Sequence, residues 1–170
     1  MGAATLSTDE VVHQLYADPE LRDAVVARWG PDVAPGGTVD RAAVARRAFA
    51  AGGERAWLEG LLWPRVAARV AAWREAEAAR VPPPPALVVE VPLLFEAGLE
   101  RLYDATLVVV ADERIRAERA AARGHAEVDE RTARQLSQDE KAARADHVVR
   151  NNRDLAALEQ ELARVLEKLS

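Results

Sequence analysis

Two runs, "LVV" at 87–89 and "LVVV" at 107–110, are apolar at every position instead of alternating with polar residues. A half-exposed strand alternates. An unbroken short run bounded by turn residues is expected of a strand covered on both faces of a parallel sheet. Parallel neighbours cannot be joined by a tight turn and need long crossovers, usually helical. This chain supplies such crossovers, so the order strand, helix, strand, helix predicts an α/β fold with a parallel sheet.

The other elements follow from local signals. "AATLS" reads as a short strand, and "TDEVVHQLYADPELRDAVVARWG" as helix, interrupted near Pro19 and stopped at Gly30 and Pro31. Asp40 is placed to cap "RAAVARRAFA". In the long helix that follows, Leu58, Leu61, Leu62, Val66, Val70 and Trp73 share an apolar face, with a kink expected at Pro64. "VPPPPA" is a rigid extended connector. "DERIRAERAAARG" is a helix with Asp112 as N-cap and Gly124 beyond its end. "DERTARQLSQDEKAARA" is polar and helical, "DHVVRN" is a strand, and Leu155, Leu158, Leu162, Leu166 and Leu169 form the stripe of a last helix.

Composition narrows the function. A chain of 170 residues suffices for one domain with a real core. Its net charge of −5 argues against a general nucleic-acid surface. No apolar run approaches a membrane span, and "MGAATLSTDE" lacks the basic and apolar regions of a signal peptide. With no cysteine there is no disulfide or thiolate metal site, and His13, His125 and His147 have no metal-ligand spacing. A cytoplasmic, monomeric protein with no membrane or nucleic-acid partner is the expectation.

Ligands of parallel sheets bind beyond the carboxyl ends of the strands. The strand at 87–89 runs directly into Glu90, Pro92 and then Glu96, so this loop either borders a site or caps the core with Leu93, Leu94 and Phe95. Asp9 follows the strand at "AATLS" and is either a general base or a helix N-cap. Arg119 and Arg123 are four apart on one helix face, and Arg131 lies shortly after. Guanidinium forks suit phosphate oxygens, although a solvated surface helix accounts for the same pattern.

In order and spacing, "DRAAVARRAFA" with "WLEGLLWP", then "PLLFE" after a buried strand, then "RQLSQDEKAARADHVVRNN", resemble the dephospho-CoA kinase family over nearly the whole chain. The resemblance implies a P-loop kinase core at 86–118 and 145–170, a helical substrate subdomain at 10–80 and a lid at 119–144. It implies transfer of the γ-phosphate of ATP, with Mg²⁺, to the ribose 3′-hydroxyl of dephospho-CoA. Carried over residue by residue, it puts Ser7 at the place of the family's first acid, the one usually assigned as base, and Asp9 at the second acid, here taken as the catalytic base. Leu93, Phe95 and Glu96 become substrate contacts. Arg119, Arg123, Arg131, Lys141 and Asn151 become nucleotide and lid residues.

The family's opening strand and G-x-x-x-x-G-K-[ST] phosphate loop have no match in these residues. The expectation is therefore a sheet lacking its first, central strand, with phosphoryl transfer impaired in the chain as written. The alternatives are a non-catalytic binding module that keeps the CoA site, or another P-loop small-molecule kinase.

Overall fold

The strand-then-helix order of the sequence is realised in a computed structural model that describes residues 2–122 and 135–169. The chain divides into two compact units, Gly2–Val91 and Pro92–Ser170.

In the first unit β1 (Ala4–Ser7) pairs in parallel with β2 (Leu87–Glu90), placing Ser7 opposite Glu90. Between them come α1 (Thr8–Leu15), α2 (Pro19–Trp29), α3 (Arg41–Ala50) and α4 (Glu54–Ala78). Local chemistry sets the boundaries. Asp18 accepts from the Glu20 amide and Pro19 occupies the first turn, so α2 starts where α1 has ended. Gly30, at φ +87°, ends it in a conformation other residues rarely adopt. Asp40 caps α3 through the amides of Ala42 and Ala43 at 2.9 and 3.2 Å. Helix α4 passes through Pro64 as one element of 25 residues.

The main apolar core of this unit is helical. Val11, Leu15, Leu21, Val25, Val33, Val44 and Leu62 are buried together, with Trp29, Trp57, Leu58, Leu61 and Val66 packed around them. Across it, Glu54 at the start of α4 accepts from Arg28 (2.6 and 3.0 Å) and from the Trp29 indole (2.7 Å). Those bonds hold the Glu54 carboxyl below its usual range. Trp29 meets Trp57 edge to face at 5.0 Å between ring centroids.

In the second unit β3 (Leu107–Val110) pairs in parallel with β4 (His147–Arg150). The helices are α5 (Glu113–Ala122), α6 (Gln138–Arg144) and α7 (Leu155–Leu169). Helix α6 packs against β3 and α7 against β4. The start of α6 is fixed by a capping box, in which Ser137 and Glu140 bond reciprocally.

The parallel α/β class is as the sequence predicts, but burial of the strands on both faces is not. Leu107 and Val109 are 38% and 49% exposed, Val88 and Val148 are exposed as well, and β2 alternates between half-buried and exposed positions. Among the described residues each sheet has two strands, and β3 and β4 are each packed by a different helix, so apolar side chains on their other sides are left open. The leucine stripe of α7 is present, yet none of its residues is fully buried.

Candidate functional site

The loop after each strand decides what stands at the sheet edges. In the first unit Ser7 ends β1 and α1 begins at Thr8, whose hydroxyl donates to the Glu90 carbonyl at 2.9 Å. That bond ties the start of α1 to the carboxyl end of β2. Asp9 therefore sits in the first turn of α1, exposed, at the carboxyl edge of the β1–β2 pair. Ser7 is the N-cap residue, so the cap role that local sequence offered Asp9 is not the one it takes. Its carboxylate has no hydrogen-bond or ion-pair partner among the described residues, which leaves it open to a ligand.

In the second unit, residues 93–99 form a single helical turn closed at its end. The Leu99 amide donates to the Leu94 carbonyl and the Gly98 amide to the Phe95 carbonyl, with Gly98 at φ +67°. This six-to-one and five-to-two pair is a Schellman closure, and the positive φ explains why glycine follows "PLLFEA". The turn sends Phe95 inward and Glu96 toward α6. Phe95 is 4% exposed, with the Arg144 guanidinium 5.1 Å above its ring. Leu93 is exposed. Of the expected substrate contacts here, Leu93 and Glu96 thus remain at the surface or near it, and Phe95 supports the turn from beneath.

Glu96 Oε1 accepts from Lys141 Nζ at 2.9 Å and from the Leu136 amide at 2.9 Å. Lys141 also donates to the Pro92 carbonyl at 3.0 Å. Burial opposes charge on Glu96, but the bonds from Lys141 and from the amides of Glu96 and Leu136 outweigh it and hold the carboxyl below its usual range. The other oxygen, Oε2, is buried and accepts no bond from the described residues. One turn along, Glu100 pairs with Arg144, and its carboxyl is likewise held low by its own backbone amide and by Arg144.

A second group stands at the carboxyl ends of β3 and β4. The Asn151 amide donates to the Val110 carbonyl at 2.8 Å. Arg119 donates to the carbonyls of Asn151 (2.8 Å) and Arg153 (3.2 Å). Asn152 exchanges two bonds with Asp112, one with its amide and one with its carboxylate. Gln138 does the same with the Ala111 backbone, giving to its carbonyl and taking from its amide. An open cleft of about 230 Å³ lies here, lined in part by Asp112, Glu113, Gln138, Asp139 and Arg150.

Four cations are expected among the nucleotide and lid residues. Lys141 is brought to Glu96 and Arg119 to the loop at 151–153, while Arg123 and Arg131 lie outside the described residues. Asp112 stands before α5 as predicted, but its carboxylate is engaged by Asn152. Sequence reading missed Glu100, Arg144 and Asn152, whose partners are 40 to 44 positions away. One signal was available: the S-x-x-E run of "SQDE" marks where α6 begins.

Known proteins supply an independent comparison. The family model for dephospho-CoA kinase matches residues 1–157. A dephospho-CoA kinase of Symbiobacterium thermophilum is 39% identical over 160 residues, which cover 91% of this chain and 66% of that protein. One of Deinococcus radiodurans is 40% identical over 171 residues, covering 99% of this chain and 81% of that protein. A crystal structure from Thermus thermophilus superposes with a TM-score of 0.78 at 31% identity, over 99% of this chain and 86% of the other. A dephospho-CoA kinase from Campylobacter jejuni shares the fold, with a TM-score of 0.68 at 19% identity over 99% of this chain and 86% of the other.

Proposed function

The chain belongs to the dephospho-CoA kinase family, and from that premise we propose that it binds dephospho-CoA and ATP and serves transfer of the γ-phosphoryl group to the ribose 3′-hydroxyl. The observation that carries this reading is Glu96. It sits within the 93–99 turn, is held ionised by Lys141 and the Leu136 amide, and keeps one oxygen that accepts no bond from the described residues. A buried acceptor left without a partner costs about 1–3 kcal/mol. A hydroxyl or amide of the substrate satisfies it, with Leu93 as the adjacent apolar contact and Phe95 as the support under the turn.

Asp9 is the base in this reading. Its open carboxylate accepts the proton of the attacking hydroxyl and orients that oxygen toward the phosphorus. Arg119 and Asn151 shape the nucleotide side, Arg119 by fixing the carbonyls of the loop after β4. Lys141 contributes through Glu96, since its charge is already paired there.

Magnesium supplies charge neutralisation on the transferred phosphates when bound with ATP. Among the described residues no three acidic or imidazole side chains come together to hold a cation.

The sequence holds no glycine-rich phosphate loop, so the 170 residues alone turn over weakly in this reading. That same feature favours a second reading, a binding module that takes dephospho-CoA without phosphoryl transfer. The test is a transfer assay with labelled ATP, offering dephospho-CoA beside nucleoside monophosphates as acceptors. Label appearing on dephospho-CoA alone supports the kinase. Binding of dephospho-CoA without transfer supports the module, and label on a monophosphate overturns both. No helix of the described residues is long and apolar enough to cross a membrane, and the reading places the protein in the cytoplasm as a monomer.

A further inference from the structure

Helix α6 makes two sets of contacts on two different parts of its unit. On one side Lys141 reaches Glu96 and the Pro92 carbonyl, while Arg144, three residues on, pairs with Glu100 and covers the Phe95 ring. On the other, Gln138 pairs both ways with the Ala111 backbone, just beyond β3. Helix α6 has only seven residues. At 1.5 Å per residue its seven residues span about 10 Å, so Gln138 and Arg144 stand within two turns on one hydrogen-bonded segment.

We propose that α6 is a positioning element that couples the segment at 92–102 to the carboxyl end of β3, with Arg144 and Glu100 as its positioning residues. This rests on the functional reading above, in which Glu96 stands on the substrate side and the loop at 151–153, bonded to Arg119 and Asp112, on the nucleotide side. Arg144 contacts Glu100 and the Phe95 ring, and neither Arg144 nor Glu100 is assigned above to substrate or nucleotide. Arg144 fixes where the 93–99 turn sits by gripping it at two points, the Glu100 carboxylate and the Phe95 face. The turn in turn aims Glu96. Occupancy of one side is then felt at the other through the one helix that contacts both parts of the unit.

Amide exchange by NMR on the whole chain tests the coupling without any ligand. In Arg144→Gln the amides of Leu136 and Ala111 exchange about tenfold faster, the change expected when a charged hydrogen bond that stabilises them is lost. The Thr106 amide, bonded to Asp146 at the other end of β3, keeps its rate. Glu100→Gln, a milder change, gives the same pattern at smaller size. Unchanged exchange at Ala111 in both variants overturns the proposal, as does a uniform rise that includes Thr106.

Titration supplies a readout that a merely structural role does not move. In the wild-type chain dephospho-CoA raises affinity for ATP about fivefold or more, the lower end of typical coupling, and Arg144→Gln brings that factor to about one while each ligand alone still binds. Both ligands binding with no coupling in the wild type overturns the proposal. Failure of dephospho-CoA to bind at all overturns the functional reading instead, and the exchange rates at Ala111 then decide the mechanical coupling by themselves.

Discussion

Asp146 and Thr106 grip each other three times at the amino ends of β4 and β3. Asp146 Oδ2 accepts from the Thr106 amide at 2.8 Å and from its hydroxyl at 2.7 Å, and the Asp146 amide donates to the same hydroxyl at 3.0 Å. The His147 amide adds a bond to the Thr106 carbonyl at 2.9 Å. This clamp sets the register in which Leu107 lies beside His147. A one-residue slip would send every strand side chain to the opposite face.

The clamp makes stability depend on acid. Bonds from the Thr106 hydroxyl and amide hold the Asp146 carboxyl below its usual range. Its folded value lies under its unfolded value, so its contribution is complete above about pH 5 and is lost as pH falls through the folded value. Asp146→Asn should lower the melting temperature at pH 7 and make its decline below pH 5 shallower than in the wild type. Thermal melts across that range check it. Parallel curves for the two proteins would remove Asp146 as a source of the acid dependence.

Leu21 is fully buried among Val25, Val33 and Val44 in the helical core of the first unit. Leu21→Ala leaves a cavity and should cost about 2–5 kcal/mol. At roughly 2–4 °C per kcal/mol for a chain of this size, calorimetry should show a clear fall in melting temperature. A shift of under a degree would place the stabilising core elsewhere.

Asp9 separates chemistry from structure. It is exposed, bonds to none of the described residues and lies in the first turn of α1. Asp9→Asn should lower kcat by about 10²–10⁴ if it is the general base, with dephospho-CoA affinity nearly unchanged. Its effect on stability should stay within about 1 kcal/mol, the range of a helix-end charge. Steady-state kinetics beside a melt decides between base and bystander, and unchanged kcat removes the catalytic role.

Much of the architecture was legible because its signals are local. Asp40, Pro19 and Gly30 act through neighbours within a few positions, and their elements begin and end where the sequence predicts. The apolar runs gave the strands and their parallel pairing. They did not give strand burial, because hydrophobicity at 107–110 reports what a strand prefers, not how many elements cover it. Type, position and family resemblance nominate candidate site residues, but they do not tell what those residues engage. Lys141 meets Glu96, Arg119 meets Asn151 and Asn152 meets Asp112, each across 30 residues or more. Such pairings leave no periodic trace, since they depend on how loops are folded back. The linear motif leaves Phe95 either a ligand contact or a cap on the core, and in the fold it is buried within the turn that Gly98 closes.

The most direct measurement is a calorimetric titration of dephospho-CoA into the wild-type chain and into Glu96→Gln. The carboxylate is held ionised, and one of its oxygens accepts no bond from the described residues; a bond to a charged group is worth about 1.5–3 kcal/mol. The account predicts saturable one-to-one binding to the wild type and affinity at least about tenfold weaker in the variant. Equal affinity in the two proteins, or no binding by a folded wild-type chain, would contradict it.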